Sequence, residues 1–279
     1  MKTGLILEGG AVRGIYTAGV LDAFMDNNIL FDGVIGVSAG AVHGCSYVSG
    51  QRGRSIRYYL KYLHHPEFMS LRSLFKTGSL VGHQFCYVQL PETLDPFDYR
   101  AFAASPMHFY AVCTNLETGK AEYIHMKESF HMDYLEASAS MPMVSKIVEI
   151  NNKKYLDGGV ADSIPLSAFT SMGYDRNVLV LTRPADYQKK SSYHPIMKQI
   201  YRDYPAFLET LKHRHLHYNQ TLQEIKKAEA AGKILVIRPK QPLPVKRMEK
   251  NLKKVQYAYD LGYQDGIENI EKIKAFLNQ

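Results

Sequence analysis

The sequence predicts an α/β fold: three α/β/α layers around a mainly parallel sheet, with a helical C-terminal extension. Three observations carry this expectation. Short apolar runs alternate with stretches of helical periodicity through the first part of the chain. A glycine-rich turn, Gly9-Gly10-Ala11-Val12-Arg13-Gly14, follows the first run, and a serine set between glycines, Gly36-Val37-Ser38-Ala39-Gly40, follows the second. Turns of this kind join the end of a parallel strand to the start of a helix.

Taken in order, strands are expected at residues 4–7, 34–36, 109–114, 178–182 and 234–237. A helix over residues 15–27 buries Ile15, Ala18, Gly19, Leu21, Ala23 and Phe24, and a second helix starts after Ser38. Residues 64–94 mix His64-His65-Pro66, aromatic side chains and the glycines Gly78 and Gly82, which reads as an irregular cover. Beyond Pro184, the residues Phe207, Leu211, His215, Tyr218, Leu222 and Ile225 fall on one helical stripe, expected to pack on the chain's own sheet. A late strand near residues 233–238 and a stiff connector at Pro239, Pro242 and Pro244 precede two short closing helices. The chain thus divides into a core, residues 1–185, and a basic, mainly helical part, residues 186–279, packed on it.

Composition narrows the class. The chain of 279 residues is 46% hydrophobic, enough for a substantial core, and holds no uninterrupted apolar run of about 18 residues to cross a membrane. Three scattered cysteines, Cys45, Cys86 and Cys113, suit neither a disulfide framework nor a metal site, and a reducing, cytoplasmic setting is expected. Charge is uneven. Up to Ala185 there are 16 basic and 17 acidic residues, and from Asp186 onward 18 and 10. This excess reads either as solvated helix faces, the commoner case, or as a platform for an anionic surface such as a membrane. No recognition motif accompanies it, so nucleic acid is not an expected partner.

The candidate chemistry sits in three turns. Gly36 and Gly40 permit a strand-to-helix turn so tight that Ser38 is pushed out at its tip, a nucleophile elbow, at the positive end of the following helix. The first turn fails the G-x-G-x-x-G dinucleotide spacing because Ala11 stands at the second required glycine. In a parallel sheet it opens on the same edge as Ser38, so its N–H groups are better placed to hold an oxyanion. The third turn, Asp157-Gly158-Gly159, ends an apolar stretch. Alone it is an ordinary turn, and beside an elbow Asp157 is a candidate base.

In this order, the three pieces resemble the patatin-like phospholipase family, whose motifs are a G-G-G-x-R-G loop, G-x-S-x-G and an Asp-Gly-Ala/Gly turn. The small-residue segment Ala137-Ser138-Ala139-Ser140-Met141-Pro142 is similar to the family's stretch before that turn, and nearly the whole chain looks like a bacterial intracellular esterase branch of it. The resemblance implies a serine acyl hydrolase on lipid esters, of the phospholipase A, lysophospholipase or esterase type, working through a Ser38–Asp157 dyad without histidine. Gly9, Gly10, Ala11 and Ala39 would supply the oxyanion N–H groups. Arg13, Gly14, Gly36, Gly40, Gly158 and Gly159 would support the motifs, with Arg13 bracing the loop or meeting an anionic headgroup. This chemistry needs no metal or organic cofactor. Phe68, Met69, Leu71, Leu74, Phe75 and Phe85 of the cover are candidates for an acyl pocket or for core. Ala11 departs from the family's third glycine and, with the rest of the loop intact, is expected at negative φ, where alanine donates the same N–H.

Two rivals remain. A patatin fold that has lost catalysis would be a lipid-binding or regulatory module, a reading that Ala11 and the basic C-terminal part favour and the intact Ser38 and Asp157 oppose. An α/β-hydrolase would need a histidine base from among His43, His194, His213, His215 and His217, each better read as a surface or packing residue.

Overall fold

A computed structural model describes residues 1–127 and 131–278. In chain order the elements are β1 (Lys2–Leu7), α1 (Gly14–Asp26), β2 (Gly33–Val37), α2 (Ala39–Val48), α3 (Arg54–Tyr62), α4 (Leu71–Thr77), α5 (Tyr99–Ala104), β3 (His108–Asn115) and β4 (Ala121–His125). They continue with α6 (Met132–Ala139), β5 (Val148–Ile150), β6 (Lys153–Asp157), α7 (Leu166–Ser171), β7 (Tyr174–Val180), α8 (Ile196–Ile200), α9 (Pro205–Ala230), β8 (Ile234–Ile237) and α10 (Leu252–Leu277). A π-helical segment, Gln84–Leu94, lies between α4 and α5.

The strands run in the order β5-β6-β3-β2-β1-β7-β8, with β4 also paired to β3. From β3 to β8 all neighbours are parallel, whereas β4, β5 and β6 pair antiparallel. Alternation along the central strands divides the core between two faces. Leu5, Leu7, Val34 and Val178 pack with α1, α2 and α10 through Ile15, Phe24, Cys45 and Ile270. Ile6, Ile35, Val37 and Leu179 pack instead with α7 and α9 through Phe169, Tyr218 and Ile225. Helices on both faces of a mostly parallel sheet make three layers, the predicted class.

The expected strands are present: β1, β2 and β3 are each two residues longer, β7 begins four residues earlier and stops at Val180, two short of the expected end, and β8 has the expected bounds. The hairpin strands β4, β5 and β6 are additions, short and rich in Lys and Glu where they face solvent. The cover at residues 64–94 is more regular than expected, containing α4 and the π-helical segment. The stripe on α9 does pack inward, with Phe207, Leu211, Tyr218 and Ile225 buried.

The two closing helices are in fact one, the 26-residue α10. Its glycines mark close approach to α1 rather than a break: a Cβ on Gly262 would lie 2.0 Å from the Tyr16 carbonyl oxygen, and one on Gly19 would lie 2.1 Å from that of Tyr259. Helices this close can share buried hydrogen bonds. Tyr16 donates to Asp265 at 2.6 Å and Tyr259 to Asp22 at 2.6 Å.

Candidate active site

The parallel strands all end on one edge, and the loops leaving β1, β2, β7 and β8 there build the site. The elbow follows β2. Ser38 has φ of 55° and ψ of −123°, a strained conformation for a residue with a Cβ. The surrounding glycines explain how it is tolerated: a Cβ on Gly36 would meet the Ala41 Cα at 2.5 Å, and one on Gly40 the Leu7 carbonyl oxygen at 2.3 Å. Gly9 and Gly14 fit closely too, against Ser38 and Ala39. The Ser38 N–H donates to Ser138 Oγ at 2.9 Å, which ties the elbow to the small-residue segment at the end of α6.

Asp157 reaches Ser38 through strand register. Cys113 of β3 pairs with Glu122 on one edge and with Asp157 on the other, while its neighbour Val112 pairs with Val37. The two edges of Cys113 are therefore taken by β4 and β6, so β6 continues along the edge of β3 that β2 leaves. The ends of β2 and β6 meet, placing Asp157 beside Ser38 in the wall of one cavity, near enough that the serine hydroxyl favours the ionised carboxylate. The aspartate is held in place from three sides: Gly159 N–H donates to Oδ1 at 2.7 Å, Thr114 Oγ1 to the Asp157 carbonyl at 2.8 Å, and the Asp157 N–H to the Ser140 carbonyl at 2.8 Å. Gly158 passes so close to Val112 that a Cβ would lie 2.0 Å from its carbonyl oxygen.

Burial raises the Asp157 carboxyl above its ordinary range; Arg214, the Ser38 hydroxyl, the Gly159 N–H and Lys189 oppose that rise. Ser38 is itself buried, contrary to the exposed tip expected from the elbow, because the cover and α9 close over the sheet edge.

The loop after β1 brings a second correction. Ala11 has φ of 49°, in the left-handed region, and not the negative φ expected. Gly10, at φ 176°, is extended, so the reversal into α1 falls on residue 11. An alanine there costs roughly 1–2 kcal/mol against a right-handed conformation. Among the described residues, the N–H groups of Gly9, Gly10, Ala11 and Ala39 donate to no carbonyl in a turn, loop or cap. Gly9, Gly10, Ala11 and Ser38 line one cavity together with Asp157.

Two cavities meet at Ser38, and both are lined by Ala11 and Met141. The apolar one is walled by Val42, Tyr59, Phe68, Met69, Leu90 and Leu135 among others. Its wall includes the π-helical segment, a rare form often found at functional sites. Of the cover residues expected here, Phe68 and Met69 line this cavity and Phe85 is core, whereas Leu71 and Phe75 are exposed.

The second cavity, of 370 Å³, is more polar than the first and basic, with Arg13, Arg183, Lys189, Arg214 and Arg247 in its wall. Lys189, Arg214 and Arg247 come from the C-terminal part, whose excess charge reads more readily in sequence as solvated faces. The uneven charge is their only signal there. Glu8, also missed, accepts from Thr182 N–H at 2.7 Å and from the Tyr218 hydroxyl at 2.6 Å, joining β1, β7 and α9 under this cavity.

The histidines are placed differently. His43 is buried, bonds Ser55 through Nδ1 at 2.9 Å, and is held down to about 3 by burial and by Arg54. His213 pairs with Glu209 on its own helix.

A core of this topology, with a glycine loop, a serine elbow and an Asp-Gly-Gly turn converging on one sheet edge, defines a patatin-type α/β protein. The chain belongs to the patatin-like phospholipase family, whose model matches residues 5–170, and a domain of unknown function, DUF6363, matches residues 204–278. It is 25% identical over 94% of its length to the uncharacterized protein YjjU of Escherichia coli, covering 75% of that protein. It is also 24% identical over 98% of its length to lysophospholipase nte1 of Aspergillus terreus, of which it spans only 18%. Among solved structures, VipD from Legionella pneumophila aligns over 97% of this chain and 67% of its own, with TM-score 0.45 and 11% identity.

Proposed function

We propose that the protein is a serine acyl hydrolase that cleaves carboxylic esters of lipids, with Ser38 as nucleophile and Asp157 as its base. Membership of the patatin-like phospholipase family and similarity to a lysophospholipase support lipid ester hydrolysis in general. The observation that carries the finer reading is that Ser38 and a buried Asp157 line one cavity where two strand ends meet, with the serine hydroxyl among the groups that favour the carboxylate.

In this mechanism Ser38 Oγ attacks the ester carbonyl carbon while its proton passes to Asp157. The carbonyl electrons move onto oxygen, and the N–H groups of Gly9, Gly10, Ala11 and Ala39 are the donors proposed to hold that oxyanion. Collapse expels the alcohol, which takes the proton back from Asp157 and leaves an acyl-serine. Asp157, ionised again, accepts a proton from water as the water attacks the acyl carbonyl, and the acid leaves as Ser38 regains its proton. An ordinary carboxylate is a weak base for a serine hydroxyl. Burial, by raising the affinity of Asp157 for a proton, narrows that gap. The acyl chain would lie in the apolar cavity.

Hydrolysis of p-nitrophenyl esters of increasing chain length by the wild type, Ser38→Ala and Asp157→Asn tests this, with the fold of each variant verified by circular dichroism. Loss of turnover in both variants is expected. Activity that survives Asp157→Asn but not Ser38→Ala would assign the base elsewhere, and activity that survives Ser38→Ala would end the reading.

A further inference from the structure

The basic cavity holds more positive charge than its own protein groups balance. Arg13 and Arg183 come from the loops after β1 and β7, Lys189 from farther along the latter, Arg214 from α9 and Arg247 from the segment after β8. Among the described residues, none of the five forms an ion pair with a carboxylate. The two carboxylates in the wall have other partners, Glu8 with Thr182 and Tyr218, Asp157 with the Gly159 N–H. The Nε atoms of Arg13 and Arg214 are buried without a hydrogen-bond partner. Unpartnered guanidinium donors beside a cavity are a cost that an anion bound there reduces.

The cations crowd one another. Burial and then Arg183 push Arg13 down to about 10, while burial and then Arg214 push Lys189 down to about 7. Two tyrosine rings line the cavity, but each already carries a cation of the chain: Arg183 lies 4.4 Å from the Tyr187 centroid and Lys189 3.9 Å from that of Tyr218. A quaternary ammonium headgroup, which needs open aromatic faces or carboxylates, would find cations there instead.

We infer that this cavity is a phosphate subsite, and that the preferred substrate is an acyl ester whose alcohol carries a phosphate monoester close to the scissile bond, in preference to a neutral or zwitterionic headgroup. The inference rests on the reading of Ser38 as nucleophile. The acyl chain enters the apolar cavity, the carbonyl sits at Ser38 between the two, and the phosphate is held by Arg13, Lys189, Arg214 and their neighbours. The phosphate also neutralises charge that would otherwise repel within the pocket.

The test compares kcat/KM for 1-oleoylglycerol 3-phosphate, 1-oleoylglycerol and 1-oleoylglycero-3-phosphocholine, in the wild type and in Arg183→Gln, Lys189→Met and Arg247→Gln. Preference for the phosphate monoester by about tenfold or more, falling toward unity in the variants, is expected. Equal use of the three esters, or a preference that the variants retain, would overturn the inference while leaving the nucleophile assignment standing. Free inorganic phosphate should compete with the phosphate ester. If phosphate instead alters turnover of 1-oleoylglycerol without competing, and headgroup charge has no effect, the site is regulatory and the substrate assignment fails. Should no ester be cleaved, the dyad reading fails, and thermal stabilisation by glycerol 3-phosphate decides the subsite separately: present in the wild type and lost in Arg247→Gln if it exists, absent from both if it does not.

Discussion

Arg214 packs against Gly159, so closely that a Cβ on that glycine would lie 3.2 Å from the guanidinium Nη2. The glycine belongs to the turn that holds the Asp157 carboxylate, and the arginine to α9, within the segment matched by the domain of unknown function. The C-terminal part therefore reaches the core's candidate base. Arg214 draws the Asp157 carboxyl down against the larger rise caused by burial.

That contact sets the pH dependence. In the proposed mechanism Asp157 accepts the Ser38 proton only when ionised, so turnover should fall as pH drops through its pKa, which burial places above the ordinary carboxylate value of about 3.9. Removing the positive charge of Arg214 raises that pKa further. In Arg214→Gln the acid limb of kcat/KM for a neutral p-nitrophenyl ester should move to higher pH, with a larger loss in acid than in neutral buffer. An unmoved limb would mean that Arg214 does not act on the titrating group.

Ala11 gives a stability prediction. Its φ of 49° suits glycine, and Ala11→Gly removes left-handed strain of roughly 1–2 kcal/mol while adding unfolded-state freedom of roughly 0.5–1 kcal/mol. The net expectation is a gain of up to about 1.5 kcal/mol in chemical denaturation, with the loop's N–H donors unchanged. A loss of stability would place the Ala11 side chain in a packing role that outweighs its backbone.

The contact between α1 and α10 is equally exposed to a single methyl group. Gly262→Ala would bring a Cβ to 2.0 Å from the Tyr16 carbonyl oxygen, and backbone must shift to relieve it. Overpacking of this kind costs roughly 1–3 kcal/mol, here with weakening of the buried Tyr16–Asp265 hydrogen bond, since the helices must separate. Denaturation midpoints should fall accordingly. Unchanged stability would show that the two helices part without loss.

What could be read from the sequence was what lies within a few residues. Gly36, Ser38 and Gly40 form a turn whose geometry is local, and Asp157-Gly158-Gly159 is another, so their place on strand ends was legible from the residues alone. The pairing of Asp157 with Ser38 was legible only through the family resemblance, because their approach depends on the register that lets β6 follow β2 along β3. The sign of φ at Ala11 was misread: an intact glycine loop does not say which of its residues makes the reversal, and Gly10 proves to be extended. The basic cavity was illegible for another reason. Arg183, Lys189, Arg214 and Arg247 are spread along the chain, and only the convergence of β7, α9 and the segment after β8 distinguishes them from lysines and arginines that face solvent.

Lys189 makes the phosphate preference itself depend on pH. It is half-buried above Tyr218, its backbone N–H and carbonyl bonded to the Asn219 side chain, and it faces Arg214, Arg247 and Arg13, with Glu8 as the opposing charge. Burial and Arg214 leave it titrating at about 7. Two ionisations then bracket the preference. Below about 6 a phosphate monoester loses its second negative charge, and as pH rises through about 7 the free protein loses the Lys189 proton. The ratio of kcat/KM for 1-oleoylglycerol 3-phosphate over 1-oleoylglycerol should therefore peak between these values and decline on both sides. Lys189→Arg keeps its charge across the range, so its alkaline decline should disappear while the acid side remains. If the variant and the wild type decline together above neutrality, Lys189 is not the group that titrates, and another cation of the cavity governs the affinity for phosphate.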